Sequence, residues 1–476
     1  MKYIILIPAL ACWMVLARGS IRQAFLYVYL PSILLLPHYY VLHFPHTPPL
    51  SFGDIAILPL GVALVATEMR RWRLAWMDLW VFLFAASAGL SEAFTNELAT
   101  GDVAGMIKAL SSMSYNVNNG IYQFFAGTTT ILLPYMLGKL LIEGGLVNGQ
   151  PVRKVMIRLM VVMLAIVSAI SVFDFLSGTS SWQRTFRHLF PYQYVEWPEQ
   201  VRWGFGRIAG PYGHAILAGM VFLTALIYCL WLYWVDHKWG RRRLVNGVPL
   251  TERGLVLIAL VGGLIMTQSR GPWVGVALSV VFALLMRMYN IRKAALVFMV
   301  LMILAGSAMW VIGGRYTAGQ QQTAGSQEQA SAIYRRQLLE SYTPVVLERP
   351  LFGWGFTDDP TPNGQKSIDN QFLWLAVTQG FVGMGLFLLI AAASGARLLK
   401  LAARPVVDPG DRALILAHMA VLLGLMVTLT TVYMGLQVVE VFFMVVGWVQ
   451  GMNPANVGAP QAAGYAGPLR FRRVLT

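Results

Sequence analysis

Apolar residues in this chain come in long blocks rather than in strand-like alternation or one-sided helical stripes. Thirteen blocks fall near 2–17, 24–42, 52–67, 74–91, 121–142, 156–176, 212–235, 254–268, 272–288, 293–313, 370–391, 413–432 and 435–450. Runs of this length, apolar all round, predict membrane-crossing helices, although several are shorter than the roughly 20 residues of a straight span. Only Ser269-Arg270-Gly271 separates the eighth from the ninth. The expected architecture is all-α and polytopic, with 12–13 transmembrane helices and two long polar loops at 177–211 and 314–369. The chain then divides into N-terminal helices (1–176), a first loop (177–211), central helices (212–313), a second loop (314–369), C-terminal helices (370–450) and a tail (451–476). The tail, rich in Gly, Ala and Pro, is expected to be disordered. Within the second loop, residues 329–347 read as an amphipathic helix with Ile333, Leu338, Tyr342 and Val345 as its apolar stripe.

Composition agrees with the pattern. Hydrophobic residues make up 57% and charged residues 12%, far from the soluble average of about 25% charged. Cys12 and Cys229 both sit inside apolar runs, which argues against a disulfide scaffold. The first run continues past any small-residue cleavage site, through Trp13, Met14 and Leu16, so it is read as a retained helix. The net charge of +15 is explained by the positive-inside bias without any nucleic acid partner. Arg18/Arg22, Arg70/Arg71/Arg73, Arg153/Lys154, Lys238 to Arg253, Arg287/Arg292/Lys293, Arg397/Lys400/Arg404/Arg412 and Arg470/Arg472/Arg473 follow every second helix. That spacing predicts an outside N-terminus, an inside C-terminus and both long loops outside.

The outer segments break the charge bias. They hold Arg184, Arg187, Arg202, Arg207, Arg270, Arg315, Arg335, Arg336, Arg349 and Lys366, nine of them arginine. Long loops translocate regardless of charge, yet arginine gives a permanent, bidentate contact to phosphate. An anionic ligand is the reading that uses these cations. Three clusters carry them. Arg202-Trp-Gly-Phe-Gly-Arg207-Ile-Ala-Gly210-Pro-Tyr-Gly213-His214 ends the first loop and opens a helix, whose free N–H groups suit an anion or form a plain re-entry turn. Thr267-Gln268-Ser269-Arg270-Gly271 puts an arginine at the membrane surface, facing either a polar cavity or headgroups. In the second loop Arg336 and Glu340, four apart, are expected to pair, leaving Arg335 free for phosphate. Pro350-Leu-Phe-Gly353-Trp-Gly355-Phe forms a turn, and Asp369-Asn370 stand at a helix mouth, with a helix cap as the plain alternative for Asp369. For metals, His43-x-x-His46 sits among prolines and Asp358-Asp359 is an adjacent loop pair, so no metal or other cofactor is expected. Outer aromatics, Trp182, Tyr192, Tyr194, Trp197 and Trp203, suit either sugar stacking or an interface belt.

Taken together, the clusters resemble the O-antigen ligase and polysaccharide polymerase superfamily of bacterial inner membranes. Its Arg-x-x-Gly-x-x-x-His/Pro stretch is matched by Arg207, Gly210 and His214, and its Ser-Arg-Gly turn by Ser269, Arg270 and Gly271. Its Arg ahead of a Pro-Leu-x-Gly-x-Gly turn is matched by Arg335, then Pro350, Leu351, Gly353 and Gly355. A His-Asn pair with a later Gly becomes Asp369-Asn370 and Gly380. The match spans roughly 200–395. Asp369 departs from the ligases, where a His is the proposed base, and Arg202 and Gly213 have a spacing described for polymerase outer loops. The resemblance implies a glycosyltransferase-C-like fold and a glycan donor held on undecaprenyl diphosphate in a lipid environment. Arg207, Arg270 and Arg335 would hold the diphosphate. Asp369 would be the base, with His214 and Glu340 behind it, and Arg202, Ser269, Arg336, Gly353, Gly355 and Asn370 would line the substrate site. Chain-length regulators and other assembly proteins are the partners it implies. The rivals are a ligase acting on another acceptor, and a transporter or flippase, for which Asp78, Asp174, His418 and Glu440 are the intramembrane candidates.

Overall fold

The structure is a computed structural model, and it describes residues 2–44, 47–94, 118–191, 193, 200–244, 250–288, 291–317, 319, 325–356, 360–362, 367–404, 409–435 and 437–452. His46, Tyr192, Tyr194, Trp197, the Asp358-Asp359 pair, Lys366 and most of the tail lie outside the described residues.

Each of the thirteen apolar runs contains helix. In chain order the helices are α1 (Tyr3–Arg18), α2 (Ile21–Leu35), α3 (Phe52–Thr67), α4 (Trp76–Phe94), α5 (Asn118–Leu141) and α6 (Val152–Ser177). They continue with α7 (Ser181–Leu189), α8 (Ala215–Val235), α9 (Glu252–Met266), α10 (Arg270–Met288) and α11 (Ile291–Tyr316). The last five are α12 (Gln327–Glu348), α13 (Gln371–Thr378), α14 (Gly380–Ala402), α15 (Pro409–Leu429) and α16 (Gln437–Gly451). Six of them, α5, α6, α8, α10, α14 and α15, are long and apolar enough to cross a membrane. The chain is an all-α polytopic membrane protein. The β structure among the described residues amounts to two short antiparallel hairpins, Leu146–Val147 with Gln150–Pro151 and Val201–Arg202 with Phe205–Gly206.

Helix α8 is buried along most of its length and forms the axis of the main core. In a bilayer, helices gain little from apolar burial alone and rely on close packing. Here Gly138 of α5 and Gly447 of α16 let two backbones touch. A Cβ on Gly138 would lie 2.2 Å from Met444 O, and one on Gly447 2.0 Å from Tyr135 O.

Two expectations are corrected. The second apolar run stops being helical at Leu35, and Leu42 instead bridges Leu50 across a short extended turn. The run at 370–391 is two helices broken at Gln379, because Gly380 takes φ +65°. The second-loop helix forms as expected, but Val346 rather than Val345 completes its buried stripe with Ile333, Leu338 and Tyr342. The Pro344 inside this helix lies in its last turn and a half.

The expected intramembrane charges are spent on structure. Asp78 is paired with Lys139 at 2.6 Å, and Asp174 accepts the Ser181 N–H at 2.9 Å. His418 Nδ1 lies 2.8 Å from Leu414 O, and Glu440 accepts the Tyr29 hydroxyl at 2.7 Å.

Candidate functional site

The three arginine clusters meet at one end of the helices. The first is a two-residue hairpin turn with Trp203 at φ 55° and Gly204 at φ 81°, followed by the re-entry into α8. Its arginines reach across to the α9–α10 turn. Arg207 donates from Nε to Thr267 O at 3.2 Å and from Nη2 to Ser269 Oγ at 2.9 Å, and from Nη1 to Gln200 Oε1. Arg202 donates to Gln268 O at 2.7 Å. A helix C-terminus leaves carbonyls without internal partners and carries partial negative charge. The two guanidiniums answer both features of α9, and the next residue out of that turn is Arg270, at the head of α10. Three of the five N–H groups of Arg207 are therefore engaged by protein. Burial, then the neighbouring Arg202, lower its pKa to about 10, so it stays charged at neutral pH.

His214 is the N-cap of α8, its Nδ1 accepting the Ile216 N–H at 3.2 Å. A ring nitrogen that accepts leaves the proton on the other, so the neutral ring presents an Nε2–H donor. Burial and Arg207 push the His214 pKa down, with Asp369 pulling it up, to about 4. His214 is a poor base in this setting and a good hydrogen-bond donor. It shares with Arg207 a small cavity of about 60 Å³ that also touches Asp174 and Gln183.

The second loop brings in the remaining groups. Leu338, Tyr342 and Val346 of α12 pack on Leu373, Ala376 and Val377 of α13, with Ile368 between them. That small core places Arg335 in the field of Asp369. Burial lowers the Arg335 pKa, Asp369 raises it and Arg270 lowers it. Arg335 Nε is buried without a hydrogen-bond partner among the described residues. Arg336 is spent as expected, donating to Glu340 at 2.7 Å with both side chains exposed. Asn370, not Asp369, caps α13, its Oδ1 accepting from Phe372 N at 2.9 Å and Leu373 N at 3.1 Å. The cap duty therefore falls on Asn370, while Asp369 accepts the Ser367 hydroxyl at 2.8 Å.

The glycine-aromatic turn fixes this arrangement. Trp354 N and Gly355 N donate to the last carbonyls of α13, Val377 O at 2.7 Å and Thr378 O at 3.0 Å. Phe381 N donates back to Pro350 O at 2.7 Å. The two chains lie so close that a Cβ on Gly353 would come 2.4 Å from Val377 O, and one on Gly380 2.3 Å from Leu351 O. Both have positive φ. Gly353 and Gly355 are thus buried framework of the turn.

Several contributors carry no sequence signal. Ser91 of α4 donates to both Phe352 O and Thr378 O, Ser87 donates to Gln379 Oε1 at 2.7 Å, and Glu92 Oε2 accepts the Phe356 N–H at 2.6 Å. Isolated serines at the end of an apolar helix look like any membrane-helix serines, and their partners lie over 260 residues away. Tyr433, Trp374 and Phe356 form an aromatic wall, with centroids 6.2 Å and 5.3 Å apart from ring to ring. Tyr433 and Tyr334 both have pKa values raised by burial first and by Asp369 second. Asp369 therefore sits amid Arg335, His214, Tyr334 and Tyr433.

What the assembly can do is hold a doubly phosphorylated group on fixed arginines beside one carboxylate and a flat aromatic surface. Residues 255–388 match the family model described as O-antigen ligase. No curated protein matches the chain. The matched segment runs from α9 into α14 and contains Arg270, Arg335 and Asp369, whereas Arg202, Arg207 and His214 lie ahead of it. This segment is similar to the O-antigen ligase family, and the likeness supports a relation to the superfamily of O-antigen ligases and polymerases.

Proposed function

We propose that the protein is a polysaccharide polymerase that joins undecaprenyl-diphosphate-linked oligosaccharide repeat units at the periplasmic face of the inner membrane. The observation that carries this reading is the meeting of Arg270 and Arg335 around Asp369, with the α13 cap taken by Asn370. In the reaction, the acceptor hydroxyl oxygen bonds to the anomeric carbon of the donor sugar. The bond from that carbon to the diphosphate oxygen breaks, and its electron pair leaves with the lipid diphosphate. The hydroxyl proton passes to the Asp369 carboxylate. Arg270 and Arg335 stabilise the departing diphosphate by charge already in place, which is the cheapest form of transition-state stabilisation. Such a leaving group needs no protonation, and permanent cations serve it without a metal. Arg207 and Arg202 hold the turn from which Arg270 projects, His214 offers an N–H to the same region, and the Phe356–Trp374–Tyr433 wall suits a sugar face.

The family description favours a second reading, a ligase that passes the glycan to a lipid or other acceptor. Both readings use the same donor site and differ in the acceptor. The test is incubation of the purified protein with its lipid-diphosphate repeat unit, without a second acceptor and without metal, followed by gel analysis. A ladder of multiples, absent with Arg335→Ala, supports the polymerase. A single transfer that appears only when a separate acceptor is added supports the ligase. Turnover by Asp369→Asn equal to that of the unaltered protein removes Asp369 from the role of base.

A further inference from the structure

At the far end of the same helices lies a second cavity, much larger than the one behind the hairpin. It has a volume of about 720 Å³, in the range of small-molecule sites. Its walls come from three helices: Ile227, Leu230 and Trp231 of α8, Val280 and Ala283 of α10, and Leu416 of α15. Its rim carries Arg287, in the last turn of α10, and Arg412, in the first turn of α15. Among the described residues, neither the cavity nor its rim includes a carboxylate.

Among the described residues, two nearby acids are committed elsewhere. Asp411, beside Arg412, takes the Arg153 guanidinium at 2.7 Å. Asp236, just past the end of α8, takes that of Arg158. Arg287 lies over the Trp234 ring at 5.0 Å, which fixes its guanidinium at the mouth, and among the described residues it forms no ion pair. The result is an apolar slot between helices, with two cations and Trp234 at its mouth.

From this we infer a binding site for an anionic phospholipid, with its phosphate between Arg287 and Arg412 and one acyl chain in the slot. The charge complementarity selects the headgroup, and the walls select a hydrocarbon chain over a soluble phosphate. The site is separate from the glycosyl-transfer centre, which lies at the opposite end of α10, and it stands whether or not the transfer reading holds.

The test is native mass spectrometry of the full-length protein after release from nanodiscs of mixed phosphatidylglycerol and phosphatidylcholine. Two rim arginines, at about 1 kcal/mol each, should give roughly a thirtyfold preference for the retained anionic lipid. Equal retention of the two lipids by the unaltered protein overturns the proposal without any variant. Arg287→Gln with Arg412→Gln should abolish the preference. Arg70→Gln with Arg73→Gln, which removes the same charge from other exposed arginines, should keep it. Loss in both double variants would mean diffuse surface charge and would also overturn the site. Ala283→Trp, which fills the slot, should release the lipid while both arginines remain.

Discussion

His214 shows how much of the site's chemistry is decided by one side chain's surroundings. Its position in the motif suggests a base, but its Nδ1 is occupied as a helix cap and its ring is buried beside Arg207. The folded-state pKa of about 4 lies below the ordinary 6.5. Between these values the unfolded chain binds a proton that the folded chain refuses, so stability contributed by this group is complete above about 6.5 and is lost as pH falls toward 4. His214→Asn keeps a capping side chain and removes the titration. The expected outcome is that thermal inactivation in detergent accelerates on acidification through this window for the native protein, and less steeply for the variant. A variant as acid-sensitive as the native protein would place the titrating group elsewhere. At the same scale, Arg335, Arg270 and Asp369, singled out in the sequence by type and spacing, come into one neighbourhood in the fold. The sequence left the α13 cap open between Asp369 and Asn370, because capping depends on which residue takes extended backbone beside the helix, and here Asn370 does so at φ −159°, ψ 119°.

Elements bring the residues together, and here the decisive contact is backbone against backbone. The turn around Gly353 docks on the break at Gly380 with no room for a methyl group on either side. Gly380→Ala meets both a carbonyl at 2.3 Å and an unfavourable positive φ. A cost on the order of 1–3 kcal/mol is expected from the strained φ alone. The turn would detach from α13, and proteolysis of the second loop should accelerate with turnover falling in step. Ser91→Ala removes the hydroxyl shared by Phe352 O and Thr378 O. About 1–3 kcal/mol is the typical penalty for leaving buried partners unsatisfied. Its effect should be smaller than that of Gly380→Ala and of the same kind, with donor binding largely kept. Normal loop protection in both variants would mean the docking is not what orders the site. The helices themselves were legible because lipid-facing runs leave an unmistakable pattern. The hairpin at Val201–Gly206 was not, since two-residue strands are too short to leave an alternating pattern, and the break at Gln379 was not, since it docks on the distant turn at Pro350–Gly353. The clamp of Arg202 and Arg207 on α9 was invisible for the same reason, as its partners are some 60 residues on.

Across the whole molecule, charge is used in two ways. Away from the site, several buried or half-buried cations pair with carboxylates at helix ends: Arg22 with Glu68 at 3.4 Å, Lys139 with Asp78 at 2.6 Å, Arg153 with Asp411 at 2.7 Å. Such pairs are neutral overall and lock helices together. At the site Arg207, Arg270 and Arg335 share the neighbourhood with Asp369, leaving a surplus of positive charge that a diphosphate would neutralise. This imbalance makes a prediction with opposite signs for the two partners. Asp369→Asn deletes a negative charge that competes with the donor's phosphates, so it should bind the lipid diphosphate more tightly while losing turnover. Arg335→Gln deletes attraction and should bind more weakly, with a shallower dependence on salt because one fewer exposed phosphate contact is screened. Titration of intrinsic tryptophan fluorescence with undecaprenyl diphosphate, at low and high salt, measures both, since Trp374 lies within the aromatic wall beside Asp369. Weaker binding by Asp369→Asn would mean that the carboxylate orients the arginines and that its charge is not a rival to the donor. Tighter binding without turnover would separate holding the donor from activating the acceptor, which is the division of labour the surplus of arginines over carboxylates implies.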